Sequence, residues 1–168
     1  MNQTGPICQF LEADHRRLER LLEEAAELTP GPSIDAYETF RSGLLKHIAM
    51  EEKVLLPAAR RVTGRPHPVA ERLRTDHSLL ATLLIPTPTK AIVAEIRDIL
   101  HTHDALEEGP AGFYHAVERL VPDSVENIVK ELHAFRQPTV AQHFDSVAVM
   151  HHIAELRADR DALLKGQG

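Results

Sequence analysis

The chain has 168 residues, enough for one compact domain and short for two. With 43% apolar and 26% charged residues it can build an ordinary hydrophobic core, which argues against a disordered chain. Nineteen Lys and Arg against 25 Asp and Glu give a formal charge of −6, so neither a nucleic-acid groove nor an anionic membrane surface is expected as a partner.

Proline and glycine divide the chain at Pro30-Gly31-Pro32, Gly64-Arg65-Pro66-His67-Pro68 and Pro86-Thr87-Pro88. Between these breaks apolar residues recur at three and four rather than at two, which predicts helices over about residues 6–28, 33–61, 68–84 and 90–107. Short loops make consecutive helices antiparallel, so the expected fold is all-α, an up-down-up-down four-helix bundle. Ser33 precedes the second helix, with Asp35 and Glu38 near the start where carboxylates suit the positive helix end. Pro57 should kink or end that helix. Beyond Gly109-Pro110 a helical pattern resumes through Phe113, Val117 and Leu120, and Pro122-Asp123-Ser124 opens another stretch. After Pro138 a terminal amphipathic segment runs through Val147, Met150, Ile153 and Leu156. The chain thus reads as a single domain: a bundle over residues 6–110, with additional C-terminal helices over 111–168 packed against or beside it.

Cys8 is the only cysteine, so an internal disulfide and any cysteine-based zinc or iron–sulfur cluster are excluded. Whatever metal chemistry exists is expected to use nitrogen and oxygen. Met1 to Phe10 lacks a charged segment followed by an apolar one, and no stretch approaches the ~20 apolar residues of a membrane span. The expectation is a cytoplasmic protein with no membrane partner; a homodimer is left open.

Eleven histidines stand against two tyrosines, five phenylalanines and no tryptophan. The inward stripes read Leu11, His15, Leu18, Leu22 on the first helix and Phe40, Leu44, His47, Glu51, Leu55 on the second. They read Leu73, His77, Leu80, Leu84 on the third and Ile92, Ile96, Ile99, His103, Glu107 on the fourth. Each helix carries one buried-face histidine, and two add a glutamate one turn on. Buried carboxylates without partners are costly, and a metal cluster compensates two carboxylates and four imidazoles together. The string His-x-Ala-(Met/Leu)-Glu-Glu occurs twice, at residues 47–52 and 103–108, each time following an Asp-His pair, Asp14-His15 or Asp76-His77. Two such hairpins describe a pseudo-twofold site for two metals. With roughly six positions per metal, two bridging carboxylates, four imidazoles and a bridging oxide or hydroxide leave about one place on each. Oxygen and imidazole donors suit iron or manganese; zinc fits less well, since it usually stops at four ligands.

This residue set, one part per helix over about residues 8–110, resembles the haemerythrin-like proteins with the HHE cation-binding motif. The resemblance implies a non-haem di-iron, oxo- or hydroxo-bridged centre in a four-helix bundle, with His15, His47, His77 and His103 as terminal ligands and Glu51 and Glu107 as bridges. It implies binding or sensing of dioxygen, peroxide or nitric oxide. The alternatives are a di-iron enzyme removing peroxide and a metal-free helical interaction scaffold. The oxygen carriers of that family use five histidines, whereas four are well placed here, so the resemblance implies a more accessible and less asymmetric centre than a carrier needs.

The bland alternative for the four histidines is a set of unrelated hydrogen-bonded core residues. Glu52 and Glu108, a further ~100° round the helix, are expected to be solvated. His101 and His67 are expected at the surface, and His115, His133, His143, His151 and His152 lie in the C-terminal third, where a fifth ligand is conceivable. Tyr114 falls seven residues after Glu107, but Gly109-Pro110 interrupts the helix, so plain packing is expected for it ahead of a role as ligand or redox partner. Glu12 and His15 form one Glu-xx-His without the second pair that a ferritin-like site requires. His77 lies ~7 residues before its helix end and His103 ~13 after the next start, a mismatch of ~9 Å. The fourth helix must overhang the third, or begin later than expected.

Overall fold

The computed structural model describes residues 5–27 and 31–166, and these are helices and connecting segments with no strand. Helix α1 (Pro6–Glu27) leads to α2 (Ile34–Met50), a π turn (Glu51–Leu55) and α3 (Leu56–Thr63). Helices α4 (Ala70–Leu83) and α5 (Lys90–Glu107) follow, then α6 (Phe113–Leu120), a 3₁₀ turn (Pro122–Ser124), α7 (Val125–Ala134) and α8 (Val147–Gly166). The expected end of the first helix at residue 28, and Pro30 in the first turn, lie outside the described residues. No helix among them is long and apolar enough to cross a membrane.

Pro57 does not end the second helical stretch, which continues as a π turn and then α3 to Thr63. It has no N–H to donate, and its ring would clash with the carbonyl four residues back. The wide turn just before it accommodates both, with Leu56 N–H bonding to the Glu51 carbonyl. Glu51 therefore opens a π turn.

Every residue of the four predicted inward stripes is buried. The apolar members fall into two clusters. One gathers Leu11, Met50, Val54, Leu55, Leu73 and Phe113; the other gathers Leu18, Leu22, Phe40, Leu44, Leu80, Ile96 and Ile99. His15, His47 and His77 sit where their stripes pass from one cluster to the other, and on α5 His103 lies between Ile99 of the second cluster and Leu106, which packs against the first; the order of passage reverses from each of these helices to the next. A polar layer thus divides the apolar core.

The overhang is real. Leu83 closes α4 six residues after His77, whereas Lys90 opens α5 thirteen before His103, a difference of about 10 Å at 1.5 Å per residue. The non-helical residues 84–89 climb that distance, and Thr89 ends them as the cap of α5, its hydroxyl accepting from Ile92 N–H at 3.2 Å. Thr89→Ala should cost about 1 kcal/mol, read as a lower midpoint in urea with unchanged slope.

Helices α6 and α7 pack on α1, and α8 packs on α4. Between α7 and α8 a non-helical strap crosses the molecule. Gln137 Nε2 donates to the Ser42 carbonyl at 2.6 Å, Phe144 N–H to the Ile85 carbonyl at 3.0 Å, and Thr87 N–H and hydroxyl to Asp145 at 2.8 and 2.7 Å. The apolar stripe expected on the last helix is only partly used: Ile153 is buried, but Val147 and Met150 are exposed.

Candidate metal centre

His15 and His47 come from α1 and α2, and their Nε2 atoms lie 2.9 Å apart. His77 and His103 come from α4 and α5, with Nε2 atoms 3.2 Å apart. The two glutamates span both pairs. Glu51 Oε1 is 3.4 Å from His47 Nε2 and Oε2 is 3.1 Å from His77 Nε2. Glu107 Oε2 is 3.4 Å from His15 Nε2 and Oε1 is 3.1 Å from His103 Nε2. Two four-residue groups result, His15, His47, Glu51, Glu107 and Glu51, His77, His103, Glu107, each with ligand atoms within 4.8 Å of one another.

The outer nitrogen of every one of these rings meets a carboxylate. Asp14 Oδ2 is 2.9 Å from His47 Nδ1, and Asp76 Oδ2 is 3.2 Å from His103 Nδ1. Glu108 Oε1 is 2.7 Å from His15 Nδ1, and Glu52 Oε1 is 2.7 Å from His77 Nδ1. The repeated Asp-His and Glu-Glu pairs thus serve across the hairpins: each Asp orients the histidine of the facing helix, and each second Glu orients a histidine of the other hairpin. Nδ1–H donates outward, which leaves Nε2 as the nitrogen facing the centre.

Glu52 and Glu108 are consequently not plain solvated residues, and the expectation for them is corrected. The 100° rotation assumed an α-helix, but Glu52 lies in the π turn and Glu108 follows the last residue of α5 in extended backbone (φ −86°, ψ 166°). Where α geometry stops, the next residue need not face away.

Plain packing is likewise corrected for Tyr114. Its hydroxyl is 3.0 Å from His15 Nε2, 3.3 Å from His47 Nε2, 2.5 Å from Glu51 Oε1 and 3.0 Å from Glu107 Oε2. The chain reverses after Glu108 through Gly109, at φ 77°, and Gly112, where a Cβ would lie 2.2 Å from the Glu108 carbonyl oxygen. Only glycine fits there, and the reversal returns Tyr114 to the glutamate it follows. The two glycines were the sequence signal for it. His101 is exposed and His67 half-buried, its ring edge-on to Phe113. Among the described residues no histidine of the C-terminal third joins either four-residue group.

Burial works against charge on His15 and His77, yet the adjacent carboxylates of Glu107 and Glu108 raise the first to about 10, and those of Glu51 and Glu52 raise the second to about 9. Burial opposes ionisation of Glu51, but the charge of His47 and the adjacent rings of His47 and His77 hold it well below the usual carboxylate range. Burial, then the charges of Glu107 and Glu51, keep the Tyr114 hydroxyl well above its ordinary value. Even so, Glu51 Oε2 and Glu107 Oε1 are buried and accept no hydrogen bond. Each is 3.1 Å from an imidazole nitrogen that is not aligned to donate to it.

A family model, the hemerythrin HHE cation binding domain, matches residues 7–155. The chain belongs to the hemerythrin HHE cation-binding family. Nothing among the curated proteins or the solved structures matches it. The HHE match takes in all six predicted residues and also Asp14, Glu52, Asp76, Glu108 and Tyr114, and it runs on into α8. The buried His and Glu groups of this HHE domain are fit to hold metal ions. Beside them a cleft of about 490 Å³ is lined by His15, His47 and His103, with Leu18, Leu44 and Leu80 as apolar wall.

In an HHE domain the carboxylates behind the ring nitrogens set ligand direction and basicity. Glu108→Gln should weaken metal binding by about 10- to 100-fold, with the ion beside His15 lost first in a chelator competition.

Proposed function

We propose that this protein is a di-iron binding module whose pair of ions, bridged by Glu51 and Glu107, takes up dioxygen, peroxide or nitric oxide. Helices α1, α2, α4 and α5 form an up-down-up-down bundle around the pair, a reading supported by the reversal of core order from helix to helix. His15 and His47 hold one ion, His77 and His103 the other, and both carboxylates offer one oxygen to each. An oxo or hydroxo bridge completes the set, with manganese or zinc as alternative occupants. The observation that carries this is the pair of buried, unbonded oxygens, Glu51 Oε2 and Glu107 Oε1, facing imidazole nitrogens that are not aligned to donate to them. A bound iron pair would supply two electrons and open coordination positions for a small ligand.

Tyr114 would offer a fifth side-chain donor, the third oxygen, to an ion held by His15 and His47, which would leave the open positions on the His77–His103 side. It does what a fifth histidine would do, so the centre is asymmetric after all. Tyr114→Phe should keep two ions but remove a phenolate-to-iron visible absorption from the ferric protein; an unchanged spectrum would end that assignment. The four outer carboxylates hold the tautomers.

The experiment that tests the whole reading is elemental analysis of protein purified without chelator. Wild type and His101→Ala should carry two ions per chain, and His47→Ala and Glu107→Ala markedly fewer. Equal retention in all four would defeat it. Peroxide removal is the second reading, and steady-state peroxide consumption per mole of protein distinguishes turnover from binding.

A further inference from the structure

Cys8 occupies the first turn of α1 and is fully buried. His115 and Glu118, three apart on α6, lie over it, and the ligand atoms of these three residues are within 4.8 Å of one another. Glu118 divides its work: Oε1 accepts from Ile7 N–H at 2.6 Å and Cys8 N–H at 3.4 Å, capping α1, while Oε2 lies 3.4 Å from Cys8 Sγ. His115 has no hydrogen-bond partner among the described residues and is half-buried, as Glu118 is, so the group is open to solvent on the α6 side although the sulfur is not.

Against the expectation that a single cysteine leaves no sulfur-based metal site, we propose that Cys8 Sγ, His115 and Glu118 Oε2 form a separate mononuclear site for a borderline-soft divalent cation of the zinc class. Sulfur, nitrogen and oxygen donors are the set that zinc accepts, and a thiolate selects against magnesium, calcium and manganese. Three protein donors leave a fourth position for water. Binding breaks the S–H bond, forms the metal–sulfur bond and releases the proton to solvent, with no change of oxidation state. Burial, then the charge and hydrogen bond of Glu118, then the charge of Glu12, push the thiol up to about 12 without a metal; a cation reverses that balance and makes uptake steeply dependent on pH. The ion would tie α6, and Tyr114 with it, to the start of α1.

Cobalt(II) titration of the full chain tests this, because Cys8 is the sole cysteine and any thiolate-to-cobalt absorption reports on it alone. Wild type should develop that absorption, saturating at one ion beyond the buried pair. Cys8→Ser should abolish it, and His115→Ala, at a half-buried position outside both four-residue groups, should weaken it by more than about tenfold with iron content unchanged. Cobalt uptake with no thiolate absorption in wild type would overturn the site, leaving Cys8 a hydrogen-bonded core thiol. Absorption of equal affinity in His115→Ala would overturn it too, and that variant carries the test if Cys8→Ser fails to fold.

Discussion

Glu51→Ala should strip both ions from the protein, not one. The carboxylate gives Oε1 to the His15–His47 group and Oε2 to the His77–His103 group, so one truncation removes a donor from each site and a negative charge from between two cations. Removing a terminal histidine subtracts a donor from one site only. Loss of an outer carboxylate typically costs 10- to 100-fold, and loss of a bridge should exceed about 100-fold at both sites. Competitive chelator titrations of Glu51→Ala, His77→Ala and Glu52→Gln should therefore rank in that order of severity. Glu51→Ala holding one ion at near-native affinity would show that the glutamate does not bridge.

Metal removal should destabilise the fold, by an amount that grows as pH rises from about 6.5. At free metal 1,000-fold above the dissociation constant, an ion that binds only the folded chain adds about 4 kcal/mol, a shift of roughly 10 °C in midpoint for a domain of this size. In the metal-free protein His15 and His77 are raised from 6.5 to about 10 and about 9. Their contribution is fully present below pH 6.5 and is lost as pH rises toward those values. Metal binding requires the same rings deprotonated, so the gain from loading grows over that interval. Below it, the lowered carboxylates Glu51, Asp14, Asp76, Glu52 and Glu108 lose their contribution as they take up protons. Thermal unfolding at several pH values between 6 and 10, with and without chelator, should give diverging curves; parallel curves would mean that the rings do not exchange protons for metal.

The helices and their inward faces were legible because a 3.6-residue period recurs without competition from turns, and the six converging side chains were legible because they interrupt that period. Glu52, Glu108 and Tyr114 were misread for one physical reason. Each follows a departure from α geometry, a π turn imposed by Pro57 or the reversal at Gly109 and Gly112, and helical rotation cannot be extrapolated past such a point. Asp14 and Asp76 were visible as halves of repeated Asp-His pairs. Their role was not, because the histidine each one orients lies on another helix, and sequence spacing carries no information across that gap. Ile153 alone of the expected C-terminal stripe is fully buried, because α8 is held on the bundle by ion pairs of Arg157 with Glu95 and Arg160 with Asp76 as well as by its apolar face, and the period does not show them.

Anomalous diffraction from crystals of the iron-loaded protein tests the central claim most directly. Two peaks should appear between the Glu51 and Glu107 carboxylates, one beside His15 and His47 and the other beside His77 and His103. A single peak, or iron confined to surface residues, would contradict a bridged pair.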